Sequence, residues 1–330
     1  MEYFAVIDLG SNSARLAVTK INDDGTFENI AERKEAVRLS ENMGEEKVLK
    51  QPAIDRTIEA LESFKDVFKD LPNLEIRAVA TAATRMAANQ ADFLKEVFDK
   101  TGIQLEVIPG TKEAYYDYLG VINSLPVVNG IIMDTGGAST ELILVQNKQI
   151  VNLISLPVGS VTLSEADVNA DKPSAGQIYR VFDQLNDIYN DIWWLYRGTN
   201  LPIIGLGGSN RTLAKIKRRN DPDKLHWDDI HGFHLSATEV KAIFLKLMDS
   251  TLEERKNIPG LSKERADIIV GGLAPAMSLI WRLNSDRMIF SKQGLRFGVL
   301  YEHIAKIRND VPPEKILQSD NQPKPEDRND

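Results

Sequence analysis

Apolar residues run together over 3–7 and stop at a small, polar stretch, Asp8-Leu9-Gly10-Ser11-Asn12-Ser13. A short apolar run bounded by turn residues predicts a strand entering a tight turn. The β-prone pattern resumes over 14–21 and again from 26, so the chain opens as a β-meander. The period then changes. Ile54, Ile58, Leu61, Phe64, Val67 and Phe68 recur at helical spacing and predict an amphipathic helix over about 53–70. A strand over 77–80, a helix near 89–100, a strand near 104–108 and a helix over 113–122 complete the first stretch.

The pattern then restarts. Residues 130–134 are an apolar strand ending in Asp134, the turn Thr135-Gly136-Gly137-Ala138-Ser139-Thr140 is small and polar, and strands return over 141–145 and 149–156. Strand, aspartate, small-residue turn, strand, strand: the same device opens both halves. It is a diverged internal repeat and predicts two related α/β domains whose aspartate-bearing turns border a cleft, since ligands of open α/β sheets gather beyond strand ends. A long helix over about 173–197, a strand into Gly205-Leu206-Gly207-Gly208, helices over 209–219, 237–249 and 262–281, a strand over 288–290 and a helix from about 295 to 308 follow. Residues 311–330, rich in Pro, Asp, Glu and Lys, read as a disordered tail.

Composition narrows the class. The 330 residues are 42% hydrophobic and 27% charged, which suits a globular protein of two cores. No apolar run reaches membrane-spanning length, and the N-terminus lacks the basic start and cleavage site of a signal peptide, so no membrane partner and a cytoplasmic location are expected. Cysteine is absent, which removes disulfides, thiolate metal sites and cysteine nucleophiles. A net charge of -8 argues against nucleic acid as a partner. It leaves room for a phosphate substrate held by a local basic track or a metal ion.

The candidate chemistry sits in the turns. Backbone N–H groups of a small-residue turn can hold phosphate, and a leading carboxylate such as Asp8 or Asp134 can hold a metal. Each turn taken alone is equally a hairpin with local Asx hydrogen bonds. Gly207-Gly208-Ser209 opens a helix, whose free N–H groups favour an anion, although glycines there also serve packing. That helix carries Arg211, Lys215, Lys217, Arg218 and Arg219, the densest basic cluster in the chain, readable as a polyanion track or as a solvated face. Arg85 could fork onto a phosphate or pair with an acid. Glu113 stands in a first helical turn, where an acid also compensates the dipole. The four histidines show no zinc spacing and are read as structural.

In order along the chain, residues 7–16, the stretch Ala80-Thr81-Ala82-Ala83-Thr84-Arg85, the Glu113 helix start and Asp134-Thr135-Gly136-Gly137-Ala138-Ser139-Thr140-Glu141 resemble the exopolyphosphatase and guanosine pentaphosphate phosphohydrolase family, Ppx/GppA. Leu156-Pro157-Val158-Gly159-Ser160, Gly207-Gly208-Ser209, His231-Gly232-Phe233, residues 260–267 and Gly294-Leu295-Arg296-Phe297-Gly298 continue the resemblance. It implies two ribonuclease-H-like domains of the actin-like ATPase superfamily, 1–124 and 125–310, with the last helix, 295–310, packing back on the first. It implies Glu113 as the base for the attacking water. Asp134, Glu141 and Asp8 would hold Mg²⁺, with Mn²⁺ the other candidate. By the resemblance Ser11, Asn12, Arg85, Gly136, Gly137 and Ala138 would bind phosphate oxygens; the reading of the turns and of the basic helix adds Ser139, Gly207, Gly208 and Ser209 as phosphate contacts and Arg211, Lys215, Lys217 and Arg218 as the candidate polyanion track. A homodimer is implied by resemblance only.

The chain departs from the family pattern at Ala138, where a third glycine is common, at Lys112, commonly acidic, and at Phe297, often glutamate. None removes an expected catalytic carboxylate. Longer family members carry extra helical domains, so short or medium chains, or weak processivity, are expected here. The favoured reading is Mg²⁺-dependent release of terminal phosphate from inorganic polyphosphate. The alternatives are hydrolysis of pppGpp, a non-catalytic sensor of phosphate chains or alarmone, and a kinase of the wider superfamily.

Overall fold

The computed structural model describes residues 1–23, 26–221 and 229–308, so the expected tail over 311–330 lies outside the described residues. The chain divides into two compact units, one built from Met1–Gly120 and the last helix, the other from Val121–Gly294.

The first unit runs β1 (Glu2–Leu9), β2 (Ala14–Ile21), β3 (Phe27–Glu35), α1 (Gln51–Phe68), β4 (Leu74–Ala80), α2 (Ala82–Met86), α3 (Gln90–Thr101), β5 (Leu105–Val107) and α4 (Gly110–Ile122). Its sheet order is β3-β2-β1-β4-β5. The first three strands pair antiparallel as a meander, whereas β4 and β5 join parallel through helical crossovers. That is the ribonuclease-H-like arrangement. Alternation along β1 explains its near-continuous apolar run: Ala5, Ile7 and Leu9 enter the core beneath α1 and α3, and Phe4 and Val6 are buried on the opposite face. A strand covered on both faces needs apolar residues at every position.

The second unit runs β6 (Gly130–Thr135), β7 (Thr140–Gln146), β8 (Gln149–Leu156), α5 (Ser160–Asp167), α6 (Ala175–Asn190), β9 (Ile203–Leu206), α7 (Gly207–Asn220), β10 (His234–Ser236), α8 (Ala237–Asp249), α9 (Leu252–Lys256), α10 (Ile269–Leu283) and β11 (Arg287–Phe290). The order β8-β7-β6-β9-β11 repeats the first sheet, and β10 is added antiparallel at the edge. α11 (Leu295–Ile307) belongs to the first unit and packs on β1. The architecture is therefore α/β with two ribonuclease-H-like domains. No helix of the described residues is long and apolar enough to cross a membrane.

Two expected helices are interrupted. The stretch 173–197 ends its α-helix at Asn190 and resumes as a 3₁₀ turn, Leu195–Gly198. Ile192, Trp194 and Leu195 are all buried; a straight helix would place Ile192 and Leu195 on one face and Trp194 on another, and the bend brings all three inward. Residues 262–281 form a 3₁₀ turn, Lys263–Arg265, before α10 begins at Ile269. The glycines expected ahead of α7 lie inside its first turn, capped by Leu206.

Candidate functional site

The two aspartate-bearing turns share one construction. In the first unit Asp8 stands opposite Arg15 and Leu9 opposite Ala14, and the Gly10 N–H donates to the Ser13 carbonyl at 3.1 Å. In the second, Asp134 stands opposite Glu141 and Thr135 opposite Thr140, and the Gly136 N–H donates to the Ser139 carbonyl at 2.9 Å. What faces the aspartate differs. Asp8 faces a guanidinium, and a second one, Arg296, donates to the Leu16 carbonyl at 3.1 Å. Burial and the neighbouring Arg15 pull Arg296 below its ordinary pKa, against the opposing charges of Asp8 and Glu32.

Asp134 faces a second carboxylate. Directly opposed residues on antiparallel strands have Cβ atoms about 4.5–5.5 Å apart, and like charges there repel. Glu141 is only 1% exposed, and Ser155 of β8 donates its hydroxyl to Oε1 at 2.7 Å. This paired, hard-oxygen donor set fits Mg²⁺ or Mn²⁺. Among the described residues no group of three or more histidines and carboxylates forms a metal cluster. Water and phosphate oxygens would complete the shell, as is usual for Mg²⁺.

The turn beside this pair is braced from behind. The Gly136 carbonyl accepts from the Ser160 N–H at 2.9 Å and the Ser160 hydroxyl at 3.0 Å, and the Gly137 carbonyl accepts from the Val161 N–H at 2.8 Å. In a trans peptide N–H and C=O point in opposite directions, so the N–H groups of Gly137 and Ala138 point away from α5. Gly159 makes the bracing close: a Cβ there would lie 2.6 Å from the Gly137 carbonyl carbon. Ala138 and Ser139 are buried, which leaves backbone to meet an anion. In the first unit the loop before α1 does the same work. Ser40 donates its N–H at 2.9 Å to the Ser11 carbonyl, and the Arg38 N–H donates to the Asn12 carbonyl at 3.1 Å.

α7 begins against the carboxylate pair. Gly207 adopts φ +78°, and a Cβ on it would lie 2.5 Å from Asp134 Oδ1. A Cβ on Gly208 would collide with the Arg265 guanidinium. Asn210 Nδ2 donates to Thr135 Oγ1 at 3.2 Å and ties the helix to the end of β6. Ser209 differs from its expected role. Its side chain is fully buried against Gly272 of α10, with no hydrogen-bond partner for the hydroxyl among the described residues, so only its backbone could face a phosphate.

Arg85 and Glu113 come together in the first unit, to one another. Arg85 donates to Glu113 Oε2 at 3.2 Å and to the Ile108 carbonyl at 2.8 Å. The carboxylate is 12% exposed. Lys112, the departure beside it, turns to the buried Glu302 of α11, which also accepts from Tyr116 at 3.0 Å. Burial pushes the Glu302 carboxyl upward, but Lys112, Tyr116 and Lys306 outweigh it and hold it below its ordinary range.

Of the expected polyanion track, Arg211, Lys215 and Arg218 line one cavity, whereas Lys217 points to the other face of α7 and pairs with Glu239 at 3.1 Å and Asp221 at 3.5 Å. Ser155, Asn210, Arg265 and Lys292 had no assigned role in the sequence, and Arg219, counted there in the basic cluster of α7, lines the same cavity. Arg265 carried a signal, lying within the ordered motif over 260–267. His231, read as structural, accepts the Lys292 N–H on Nδ1 at 3.2 Å, and His226 lies outside the described residues.

Residues 17–307 match the Ppx/GppA phosphatase family. A guanosine-5'-triphosphate,3'-diphosphate pyrophosphatase of Vibrio cholerae is 29% identical over 93% of this chain and 60% of its own length. The chain spans 46–62% of the length of the curated relatives it matches. A solved Ppx/GppA family member from Aquifex aeolicus is 30% identical, with a TM-score of 0.74 over 92% of this chain and 98% of that one. A solved exopolyphosphatase from Cytophaga hutchinsonii shares the fold with a TM-score of 0.84 at 22% identity, over 94% of this chain and 99% of that one.

Proposed function

The chain belongs to the Ppx/GppA phosphatase family, and from that premise we propose that it releases terminal phosphate from inorganic polyphosphate in a Mg²⁺-dependent reaction. The observation that carries the reading is the opposed Asp134–Glu141 pair beside a turn whose backbone donors face away from their brace. Phosphoryl transfer asks little covalent chemistry of a protein; it needs a positioned water, neutralised charge and donors around the phosphoryl oxygens. Asp134 and Glu141 would hold the metal, which when bound neutralises phosphate charge. Ser155 fixes one Glu141 oxygen by its hydrogen bond. The Gly136–Ser139 backbone and the first turn of α7 orient phosphate oxygens. Glu113 takes the proton from the attacking water, with Arg85 holding one of its oxygens in place.

The basic row of α7 favours a polyanion. Hydrolysis of pppGpp is the second reading, and the similarity to the Vibrio cholerae pyrophosphatase favours it. Phosphate release from long polyphosphate, short polyphosphate and pppGpp, with Mg²⁺ and with EDTA, separates the two by rank order. Binding of all three without release would instead indicate a sensor. Glu113→Gln is expected to lower turnover by about 10²–10⁴-fold while keeping substrate affinity, because the amide preserves shape and cannot take a proton. Unchanged turnover would remove Glu113 from the mechanism.

A further inference from the structure

Glu302 of α11 is a buried carboxylate, its side chain 7% exposed, and among the described residues four donors converge on it from three elements of the first unit. Lys112 Nζ of α4 donates to Oε1. Oε2 accepts from the Tyr116 hydroxyl of α4 at 3.0 Å and from Arg77 Nη1 of β4 at 3.2 Å. It also accepts from Lys306 Nζ, one turn along α11, at 3.4 Å. Two of these donors are themselves held. The Lys112 ammonium lies over the rings of Tyr115 at 5.0 Å and Tyr116 at 4.6 Å, and Arg77 also donates to Glu106 of β5 at 3.1 Å. Gly298, one turn before Glu302, brings α11 against the Tyr116 carbonyl. α4 and α11 are thus joined by close backbone and by charge-assisted hydrogen bonds, which are stronger than neutral ones.

Lys112 and Tyr116 stand at i and i+4, so both lie on one face of α4. Glu113 follows Lys112 and points about 100° further around the helix. The N–H groups of Lys112 and Glu113 both donate to the Pro109 carbonyl, at 3.0 and 3.1 Å, so the two side chains leave the same first turn. Holding Lys112 and Tyr116 on Glu302 therefore fixes the rotation of α4 about its own axis, and with it the direction of Glu113. The lever is sensitive. With side chains about 5–6 Å from the axis, a rotation of about 10° moves the carboxylate by about 1 Å. Misplacement of that size costs about 10²-fold in rate. Arg85 grips the far end of the Glu113 side chain at 3.2 Å, whereas Glu302 sets the backbone from which it extends. We infer that Glu302 is a positioning residue for Glu113, acting through Lys112 and Tyr116, a role that rests on Glu113 being the base proposed above.

Steady-state phosphate release in Mg²⁺ reads this role, with polyphosphate or pppGpp as substrate, whichever the native protein turns over faster. Glu302→Gln keeps the shape of the side chain and removes its charge. It is expected to lower kcat about 10–100-fold while KM stays near native. Lys112→Met should do the same, and the double variant should be no slower than the slower single one, because both break one link. In a Glu113→Gln background Glu302→Gln should cost nothing further, since the group it positions has already lost its function. His303→Ala is the control for loosened packing of α11. His303 neighbours Glu302 and stacks on Phe4 at 3.9 Å, so its loss should lower the melting temperature and leave kcat native. Native kcat in Glu302→Gln overturns the inference. So does an equal loss of kcat in His303→Ala, or losses that multiply in Glu113→Gln/Glu302→Gln. Those outcomes leave the proposed function standing when Glu113→Gln alone is slow. Full turnover in Glu113→Gln, or no release by the native protein from either substrate, sinks the proposed mechanism and this role with it.

Discussion

Gly207 shows how much of the site depends on one missing side chain. Its φ of +78° lets β9 turn directly into α7, and its bare Cα lets that helix start on Asp134 Oδ1. Gly207→Ala would meet both a left-handed backbone and a carboxylate 2.5 Å away. The expected cost is about 1–3 kcal/mol of stability. Asp134 must also move, so the metal requirement should rise. Thermal melting together with Mn²⁺ binding followed by electron paramagnetic resonance would separate the two effects; a variant with native melting and native Mn²⁺ affinity would show that the contact matters to neither. At the same scale, Arg15 and Glu141 occupy equivalent places opposite their aspartates, and that single difference sets a guanidinium against one aspartate and a second carboxylate against the other.

Among the elements, the β7–β8 hairpin shows where sequence reading stops. Asn147 and Lys148 both adopt positive φ and close a two-residue turn, which sets Gln146 opposite Gln149. Continuing that register would put Ile154 opposite Glu141. A bulge between Leu144 and Val145 shifts it by one, so Ser155 arrives there and donates to the carboxylate. Strand, turn and carboxylate positions were legible because they follow from alternation and turn chemistry. The bulge was not, since nothing local marks it, and a one-residue slip reverses which side chains meet. The spacing of α7 sets Lys217 apart from Arg211, Lys215 and Arg218, yet the sequence reading grouped all four, because a count of charges ignores the helical period. The Lys217 partner Glu239 belongs to the capping box of α8. Burial opposes the Glu239 charge, but the Ser236 N–H, Lys217 and the Ser236 hydroxyl lower its pKa to about 2. A depressed carboxylate contributes stability above its unfolded pKa and loses it as pH falls through the folded one. The melting temperature should therefore drop between about pH 4.5 and about 2, and Glu239→Gln should flatten part of that drop in a calorimetric pH series.

For the whole molecule, the first unit is discontinuous in sequence. α11 lies on β1 and α4: His303 stacks on Phe4 at 3.9 Å, and Gly298 brings the helix against the Tyr116 carbonyl so closely that a Cβ would collide with backbone. Gly298→Ala should cost about 1–3 kcal/mol or more, because backbone cannot step aside as a side chain can. The loss should fall on the first unit, seen as faster amide exchange in β1 and α4 with β6–β9 unchanged; uniform exchange would show that the units unfold together.

This discontinuity bears on how the chain is made. Domains generally fold as they leave the ribosome, N-terminal ones first. Here Met1–Gly120 emerges first and lacks the helix that covers Phe4 until the whole of Val121–Gly294 has been translated, roughly 10–30 s at ordinary elongation rates. The later-born unit can finish before the earlier one. For that interval the uncovered face of β1 is a sticky surface on a nascent polypeptide, and it is the place where a trigger-type chaperone would find most to hold.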